Sequence, residues 1–543
     1  MPSLALDRGP SAEGLRAEPR AWLLPTALSA GLAAWSAWFI WRTSFVADGR
    51  RVFCLFDDAM ISMAYARNLV EGHGLNWARW GAPVEGFTHP LWLALMVPIH
   101  WLPLARVHAS LAVQVVSAIC LVLDLWMIRR LVRRHFSTPG QAAWWPAAVM
   151  TAVYYPLDQW ALQGMETGLQ ALLLVTTLCL VFDYRDGRAG PLPAFVLFTL
   201  CLLLRMDMAI VVAPCLVFLS ARPPRAEHRR AWRAGWAIPI GACAAYEVFR
   251  WLYFGDLLPN TYYLKMTGVP APVRVFHGLL VFLDFAAPLA WPLVALAVGL
   301  APHLTRRPKL ALSALIVALG FAYSIWVGGD AWEWSTVGAN RFIAWVMPLV
   351  FVLINALLNL GLEARSAAGR RHPLSDSYGR AAITVLCAVW FDGLWLSPQA
   401  EAHREDLVVA ARPLRVGENA KVFRRLSEAG RILEPGALVA TIWAGIPAYF
   451  SDYRMLDLFG YNDAHIAKVT SPVPLSVGEA RAYDPGHMKW DYDYALGRVR
   501  PDLVFQVWGP SDADSTALLQ KYGYGARDGF WVRLDSDQVR PAP

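Results

Sequence analysis

Two adjacent carboxylates, Asp57 and Asp58, open the stretch of sequence whose residue types and spacing are best suited to chemistry. A short amphipathic helix is predicted over 59–70, and a glycine-rich polar loop carrying Glu85 and His89 follows it. A positioned carboxylate can take a proton from an incoming hydroxyl. Ionisable groups beside a membrane are costly unless they line a wet cavity, so this stretch predicts a site.

Further polar side chains fall at the ends of later apolar segments, on the side of the predicted membrane that carries Asp57 and Asp58. They are Glu166, Arg205, Asp207, Asp256, Asn260, Tyr262, Tyr263, Lys265, Asp330 and Arg341, and the C-terminal segment adds His487 and Lys489. Arginine and lysine side chains can hold an anionic leaving group such as a phosphate. The set therefore predicts an outward cavity that combines an acidic base with a basic anion site.

Several of these residues also have a structural interpretation. Asp57 or Asp58 could cap the 59–70 helix. Glu166 could be a first-turn acid that interacts with the dipole of the following helix. Arg205 and Asp207 could form an ion pair at the end of a membrane helix. These alternatives do not exclude chemistry by the other members of the set.

Candidate residues later in the chain also have a structural interpretation. Tyr262, Tyr263 and Lys265 could be anchors at the membrane interface, where tyrosine and lysine gather. Asp330 follows two glycines and could be a turn residue. Arg341 lies on the outer side, against the trend that places positive charge in the cytoplasm, so a functional role is favoured.

The composition is that of a polytopic membrane protein. The chain has 543 residues, of which 56% are hydrophobic and 17% charged. Soluble proteins carry about 25% charged residues. The net charge of +7 comes from arginine clusters between apolar runs, which indicates membrane topology and not nucleic-acid binding. Most of the 26 Trp are expected to be interfacial belt residues.

The apolar runs predict about eleven transmembrane helices, because a span needs roughly 20 apolar residues. Arginine-rich loops fall on one side, which we take as cytoplasmic, and the polar motifs fall on the other. The run 90–104 is too short and too rich in proline to span, and is interpreted as an interfacial helix. The predicted spans are 21–41, 106–128, 141–158, 167–183, 191–206, 208–221, 234–254, 277–300, 310–327, 342–362 and 381–397.

The predicted fold class is a polytopic α-helical membrane protein with a C-terminal soluble α/β domain on the outer face. A disordered cytoplasmic N-terminus, 1–20, precedes the membrane domain, 21–397, whose first outer loop is 42–105. The segment 398–543 is polar and alternates helical stretches with strand-like runs at 437–443, 454–458, 502–508 and 530–534. The seven cysteines lie in or beside apolar runs without CxxC spacing, which indicates neither a zinc site nor a disulfide framework.

The motifs that the sequence lacks narrow the chemistry. There is no GxxxxGK[ST] loop, no GxGxxG after a strand and no HExxH. Without a nucleotide-binding fold, a group donor is expected to arrive through the membrane as a lipid. A divalent cation is possible beside the carboxylates, but no ligand spacing demands one.

Six ordered blocks between about residues 50 and 490 resemble the GT-C membrane glycosyltransferases. They are FDDAMISMAYARNLVEGHGLNW with GAPVEGFTHPLW (56–92), GMETGL (164–169), FGDLLPNTYYLK (254–265), VGGD (327–330) followed by Arg341, DLFGYND (457–463) and GHMKW (486–490). The resemblance is strongest to the terminal arabinofuranosyltransferases of mycobacteria, which use decaprenylphosphoryl arabinose. The sequence departs from that branch after VEG, where FTHP stands in place of a Tyr-Thr-Asn type of sequence.

The resemblance implies an inverting, polyprenyl-phosphate-dependent transferase in a bacterial inner membrane, with its active site facing the periplasm or outside and a catalytic aspartate in the first outer loop. The expected partners are the lipid-linked donor, a glycan, glycolipid or protein acceptor, and the bilayer. The expected roles are catalysis by Asp57 or Asp58, phosphate binding by Lys265, Arg205, Arg341 and His89, and sugar or acceptor binding by Glu85, Glu166, Asp207, Tyr262, Tyr263, Asp330 and His487. The alternative function is a transporter or flippase of a lipid-linked sugar, although the internal repeats and interrupted helices typical of transporters are not evident.

Overall fold

The structure is a computed structural model that describes residues 22–137, 143–221, 226–332, 340–369, 373–392, 405, 408–409, 416–509 and 512–541. The predicted disordered segment 1–20 and the predicted domain boundary at 397/398 lie outside these residues. Helices dominate the chain before residue 393. They are α1 (Leu23–Thr43), α2 (Asp57–Val70), α3 (Pro90–Met96), α4 (Arg106–His135), α5 (Trp145–Ala152), α6 (Tyr155–Leu162), α7 (Thr167–Arg185), α8 (Leu192–Leu204), α9 (Ala209–Ser220), α10 (Arg229–Phe254), α11 (Asn260–Met266), α12 (Ala271–Ala286), α13 (Ala290–Leu304), α14 (Pro308–Val327), α15 (Arg341–Ala344), α16 (Met347–Ala367) and α17 (Pro373–Phe391).

Among the described residues, five helices are long and apolar enough to cross a membrane, namely α1, α4, α7, α14 and α16. A sixth span results if α11 and α12, which meet at an angle of 86°, are counted together. Shorter apolar helices such as α8 and α13 lie beside them. The chain is therefore a multi-pass membrane protein, while the predicted count of eleven spans stays a prediction.

Proline breaks two of the predicted spans. The predicted helix 141–158 is divided into α5 and α6 just before Pro156, and the predicted helix 277–300 is divided into α12 and α13 at Pro288. Proline lacks a backbone N–H and clashes with the preceding turn, so each continuous-helix prediction was wrong at that point. The run 90–104 forms α3 and a short 3₁₀ helix, Val97–Trp101, which together are too short to span the bilayer.

The segment between α1 and α3 folds into a short antiparallel pair and a buried helix. The pair is β1 (Phe45–Ala47) with β2 (Arg50–Val52), and α2 follows. The N-cap of α2 is Phe56, so Asp57 and Asp58 occupy its first turn and the alternative in which one of them caps the helix is wrong. Carboxylates in a first turn still interact favourably with the positive end of the helix dipole. The helix ends before Gly72, whose φ of 85° is the left-handed conformation expected after a helix.

The C-terminal region contains the α/β sheet that the sequence predicted. It comprises α18 (Val416–Ile432), β3 (Leu438–Thr441), α19 (Ile446–Phe450), β4 (Arg454–Asp457), α20 (Ala464–Lys468), β5 (Leu503–Val504), α21 (Asp512–Lys521), β6 (Tyr524–Arg527) and β7 (Phe530–Arg533). The strand order is β4-β3-β5-β7-β6, with β3 parallel to β4 and β5, and β7 antiparallel to β5 and β6. The predicted strand-like runs correspond to β3, β4, β5 and β7, whereas β6 was missed.

Buried hydrogen bonds fasten the C-terminal sheet region to α2 and the residues just before it. The guanidinium of Arg67 on α2 donates to the carbonyl oxygens of Tyr449 and Ser451, at 2.5 and 2.9 Å. Asn419 on α18 donates to the carbonyl oxygen of Leu55 at 2.9 Å. Because buried carbonyl groups need partners, these bonds fix α2, and with it Asp58, relative to the C-terminal region.

Candidate functional site

A cavity of about 390 Å³ opens beside Asp58, where α2, α11, α15 and the C-terminal end of α14 meet. Basic and acidic side chains share its wall with apolar ones such as Met206, Tyr262 and Phe342. We call it the cation-lined cavity. Its charged and titratable lining residues are Asp58, His89, Arg205, Asp207, Arg250, Lys265, Asp330 and Arg341.

Arg341 is the buried hub of this cavity. Its Nη1 donates to Oδ2 of Asp58 at 2.7 Å, and its Nη2 donates to Oδ1 of Asp330 at 2.9 Å. The left-handed Gly328 and Gly329 end α14 and bring Asp330 to this position. Although burial alone opposes charge, Asp330 and Asp58 raise the pKa of Arg341 above its ordinary value, so the guanidinium stays charged.

Asp58 is ionised because of its neighbours. Burial alone would raise its pKa, but the charges of Arg341 and Lys265 hold the pKa of the Asp58 carboxyl below its ordinary value. The ammonium group of Lys265 makes no hydrogen bond or salt bridge that can be identified within the described ranges, and its Nζ lies 5.3 Å from the centroid of the Tyr461 ring. A cation that faces a cavity without a carboxylate partner is a candidate ligand for an anion.

A second group of polar residues adjoins the wall, in which His89, Arg205 and Asp207 line the cavity and Glu166 pairs with Arg205 without being a lining residue. Arg205 donates to Oε1 of Glu166 at 2.6 Å and pairs with Asp207 at 2.5 Å, which is the ion pair that the sequence suggested. Burial opposes ionisation of Glu166, but His89 and Arg205 hold the pKa of its carboxyl at about 2. Burial lowers the pKa of His89, whose Nε2 lies 2.7 Å from Oγ of Ser62. His89 can therefore offer a hydrogen bond at neutral pH, but not the positive charge that the sequence analysis expected.

Two of the predicted sugar ligands do not reach this cavity with their polar groups. The carboxylate of Glu85 pairs with Nε of Arg250 at 2.5 Å and accepts from Tyr246 at 2.6 Å, and it lies behind the wall. The hydroxyl of Tyr263 donates to Asp256 at 2.5 Å. Glu85 therefore holds Arg250, and Arg250 is a lining residue of the cavity.

Asp57 contacts the C-terminal region, whereas Asp58 contacts Arg341. Its two carboxylate oxygens accept hydrogen bonds from the backbone N–H groups of Gly445 and Ile446, at 3.0 and 2.8 Å. Burial raises the pKa of Asp57 to about 7, against the opposing effect of these two backbone hydrogen bonds. Because successive helical residues point in different directions, the two carboxylates cannot act as one facing pair.

A second cavity, of about 340 Å³, lies on the side of Asp58 that faces the C-terminal sheet. We call it the aromatic cavity. Asp58, Ile61 and Tyr461 line both cavities, so Asp58 stands at their junction. The remaining lining residues include Phe56, Asp57, Trp332, Trp443, Phe459, Asp484, His487, Gln506 and Trp508.

His487 reaches this site as the sequence suggested. Its ring lies 4.5 Å from that of Phe459 and 5.6 Å from that of Trp332, and its Nδ1 is 3.0 Å from Oδ1 of Asp484. Lys489 does not reach it, because its buried Nζ donates to the carbonyl oxygen of Tyr263. Lys489 is therefore a structural residue.

The sequence analysis missed two kinds of lining residue. Arg250 lies inside the predicted span 234–254, and an arginine in an apolar helix is itself a signal of function. Trp332, Trp443 and Trp508 were included among the interfacial belt, and nothing in their local sequence separates them from it. Only the folded chain brings these three indoles together.

The described residues contain no cluster of three or more His, Cys, Asp or Glu side chains that could hold a metal ion. The carboxylates of Asp58 and Asp330 are instead bridged by Arg341. The chemistry that this arrangement can support directly is proton abstraction at Asp58 beside a cationic anion site.

Comparison with known proteins identifies the architecture. A family model described as Domain of unknown function (DUF8728) matches residues 414–531. No curated protein matches the sequence. The crystal structure of ArnT from Cupriavidus metallidurans bound to undecaprenyl phosphate is similar with a TM-score of 0.55 at 14% identity, over 97% of this chain and 100% of that one.

Two further solved structures are similar. The apo state of the same ArnT gives a TM-score of 0.54 at 13% identity, over 94% of this chain and 97% of that one. The Archaeoglobus fulgidus oligosaccharyltransferase, tethered with an acceptor peptide containing the NVT sequon, gives a TM-score of 0.45 at 15% identity. That match covers 80% of this chain and 64% of the oligosaccharyltransferase chain. The ArnT likeness shows that this chain has the GT-C fold, which confirms the predicted fold class.

Proposed function

We propose that the protein is an inverting glycosyltransferase that moves a sugar from a polyprenyl-phosphate donor to an acceptor hydroxyl. The observation that carries this proposal is the position of Asp58, which lines both cavities and contacts Arg341. A base at the junction of an anion-binding cavity and a second cavity is the arrangement that a transfer between two substrates requires. The binding of undecaprenyl phosphate by ArnT supports a lipid-linked donor.

The donor phosphate is proposed to bind in the cation-lined cavity. Lys265 has no carboxylate partner that can be identified in the described part of the chain, and Arg341, which contacts Asp58, lines the same cavity. Arg205 is already engaged by Glu166 and Asp207, so its contribution to phosphate binding is smaller. The apolar wall beside these cations suits the prenyl chain of a lipid.

The proposed reaction is a single displacement. Asp58 takes the proton of the acceptor hydroxyl, whose oxygen attacks the anomeric carbon while the bond from that carbon to the phosphate oxygen breaks. The bonding electrons leave with the polyprenyl phosphate, which Lys265 and Arg341 stabilise, and the anomeric configuration inverts. A phosphate leaves as a stable anion, so no general acid is needed.

Asp57 is proposed as a positioning residue. Both of its oxygens are occupied by backbone N–H groups of the C-terminal region, so geometry gives it less access to an acceptor than Asp58 has. Geometry precedes pKa in the choice of a base, since the base must reach the proton that it removes. Asp57 therefore holds the C-terminal region against α2.

The acceptor is proposed to enter through the aromatic cavity. Trp443, Phe459 and Trp508 offer flat apolar faces, while Asp484 and Gln506 offer hydrogen-bonding groups. This mixture of rings and a few polar groups is typical of small-molecule sites and suits a sugar ring. Glu166, Asp207 and Asp330 remain the proposed polar contacts on the donor side, together with Tyr262.

The finer assignments rest on the resemblance seen in the sequence. Arabinofuranose is the first donor sugar to test, and the acceptor is proposed to be a cell-envelope glycan, glycolipid or protein. The membrane domain 21–397, with its first outer loop 42–105, would lie in the bacterial plasma membrane. The domain 398–543 would lie on the outer face and cover the site.

The test is a two-readout assay in proteoliposomes with synthetic polyprenyl-phosphate pentoses and hexoses and a panel of glycan and peptide acceptors. We expect release of polyprenyl phosphate together with a new glycosidic bond of inverted configuration, determined by nuclear magnetic resonance. Asp58→Asn should abolish both, whereas Lys468→Ala, which removes an exposed lysine, should not. Movement of the intact lipid-linked sugar across the bilayer without bond cleavage would instead identify a transporter.

A further inference from the structure

A second cluster of cations lies at the far end of α14 from the proposed active site. The C-terminal end of α14 leads into Asp330, and its N-terminal end begins at Pro308. The helix has 20 residues and is therefore about 30 Å long, which is close to the thickness of the hydrocarbon core of a bilayer. A helix of this length that crosses a bilayer has its two ends at opposite membrane interfaces.

At this far end is a cleft of about 260 Å³ between the ends of α4, α13 and α14 and the side of α16. His135, Arg306, Arg307 and Lys309 line one part of it, and we call it the basic cleft. The other part is apolar. Its apolar lining residues are Phe136, Leu310, Ala356 and Leu360.

The charges of the basic cleft are only partly neutralised. Lys309 pairs with Asp186 at 2.7 Å, and Arg307 makes one contact with Glu363 at 3.3 Å. The guanidinium of Arg306 has no salt bridge or hydrogen bond that can be identified in the part of the chain that the structure describes. The cleft therefore keeps positive charge that is available to a ligand.

The backbone adds to this positive field. Pro308 occupies the first turn of α14, and the N-cap residue, Arg307, makes no side-chain capping hydrogen bond. The first N–H groups of a helix have no partner within the helix, and they carry the positive end of its dipole. Phosphate groups bind readily at such a terminus when cations surround it.

We propose that the basic cleft binds a phosphate group, of the kind that an anionic phospholipid headgroup or free phosphate presents. The cations and the end of α14 contact the phosphate oxygens. The apolar part of the cleft favours the lipid, because a phospholipid joins its phosphate to hydrocarbon. Basic pockets between membrane helices recognise lipid headgroups in this way. This site is separate from the sugar-transfer site and does not depend on the proposed reaction.

The experiment measures binding to the purified full-length chain by native mass spectrometry, with phosphatidylglycerol, phosphatidylcholine and inorganic phosphate as probes. The test variant is the double substitution Arg306→Ala and Arg307→Ala. The matched control is Arg229→Ala with Arg230→Ala, which removes two exposed arginines from the start of α10. The charge-conserving variant, Arg306→Lys with Arg307→Lys, checks that any loss reflects charge and not misfolding.

We expect phosphatidylglycerol to bind the test variant about 30-fold more weakly than wild type, since two cations near the lipid phosphate are removed. The control and the lysine variant should bind it within about threefold of wild type. If only phosphatidylglycerol binds, the phosphate that the cleft recognises is that of a lipid headgroup. If inorganic phosphate competes with phosphatidylglycerol, the cleft also binds the free ion. Equal binding of phosphatidylglycerol by wild type and the test variant, or an equal loss in the control, would overturn the proposal.

Discussion

Asp58→Asn is the substitution that most sharply tests the assignment of the base. Asparagine has the same shape but cannot take a proton from the acceptor. Arg341 keeps its contacts of 2.8 and 2.9 Å with Asp330, so the hub of the cation-lined cavity should survive. Loss of a general base costs a factor of roughly 10² to 10⁴ in rate, which corresponds to about 3 to 5 kcal/mol in the barrier.

The assay is single-turnover release of polyprenyl phosphate from a bound donor at saturating acceptor, with donor affinity measured separately. We expect Asp58→Asn to lower the single-turnover rate by about 100-fold or more, as for the loss of a general base. Its affinity for the donor should change little. Asp57→Asn is the matched control. It replaces one of the two oxygens that accept from Gly445 and Ile446, so we expect a loss of about 1 to 3 kcal/mol in stability and a smaller loss in rate.

The pH dependence separates the two carboxylates independently. A base is active when deprotonated, so the rate falls as pH drops through its pKa. Because Arg341 and Lys265 keep the pKa of Asp58 below its ordinary value, against the effect of burial, the rate should be flat on the acid side of neutrality. Burial raises the pKa of Asp57 to about 7. A rate that falls tenfold per pH unit below about 7, together with inactive Asp57→Asn and active Asp58→Asn, would refute our choice of base.

Three further substitutions test the surroundings of Asp58. Arg341→Lys keeps the charge but loses the fork of donors, and should lower kcat about 100-fold in the transfer assay; unchanged kcat would exclude the proposed role in stabilising the leaving group. Trp508→Ala should raise KM for the acceptor about 3- to 10-fold and leave KM for the donor unchanged; the reverse pattern would place the donor sugar in the aromatic cavity. Arg67→Met removes the donor to the buried carbonyl groups of Tyr449 and Ser451, so the free energy of unfolding should fall by about 2 to 6 kcal/mol in thermal unfolding. An unaltered melting temperature would contradict the role of Arg67 in holding α2 against the C-terminal region.

The sequence was informative for three charged residues that are unusual for their surroundings. Asp58, Lys265 and Arg341 are charged residues beside apolar runs, and the structure brings all three to one cavity. Their sequence separation hides this proximity, because nothing local to Arg341 indicates that it contacts Asp58. The positive-inside trend nevertheless marked Arg341 as exceptional.

What could not be predicted depends on tertiary packing. A carboxylate such as that of Glu85 can bind sugar hydroxyls. In the structure it instead accepts a hydrogen bond from Arg250, which is 165 positions further along the chain. The contacts of Asp57 and Asp58 differ because backbone N–H groups of the distant α19 region approach only Asp57. Spacing alone gives no account of either contact, since both join elements far apart in sequence.

The most direct test of the central claim is an electron cryo-microscopy structure of the full chain with bound polyprenyl phosphate. The account predicts that the phosphate lies in the cation-lined cavity, within hydrogen-bond distance of Lys265 and Arg341, and that the prenyl chain leaves along the apolar wall near Met206 and Tyr262. The Asp58 carboxylate should lie beside the position of the missing sugar. A phosphate bound elsewhere on the bundle, with the cation-lined cavity empty of lipid, would contradict the account.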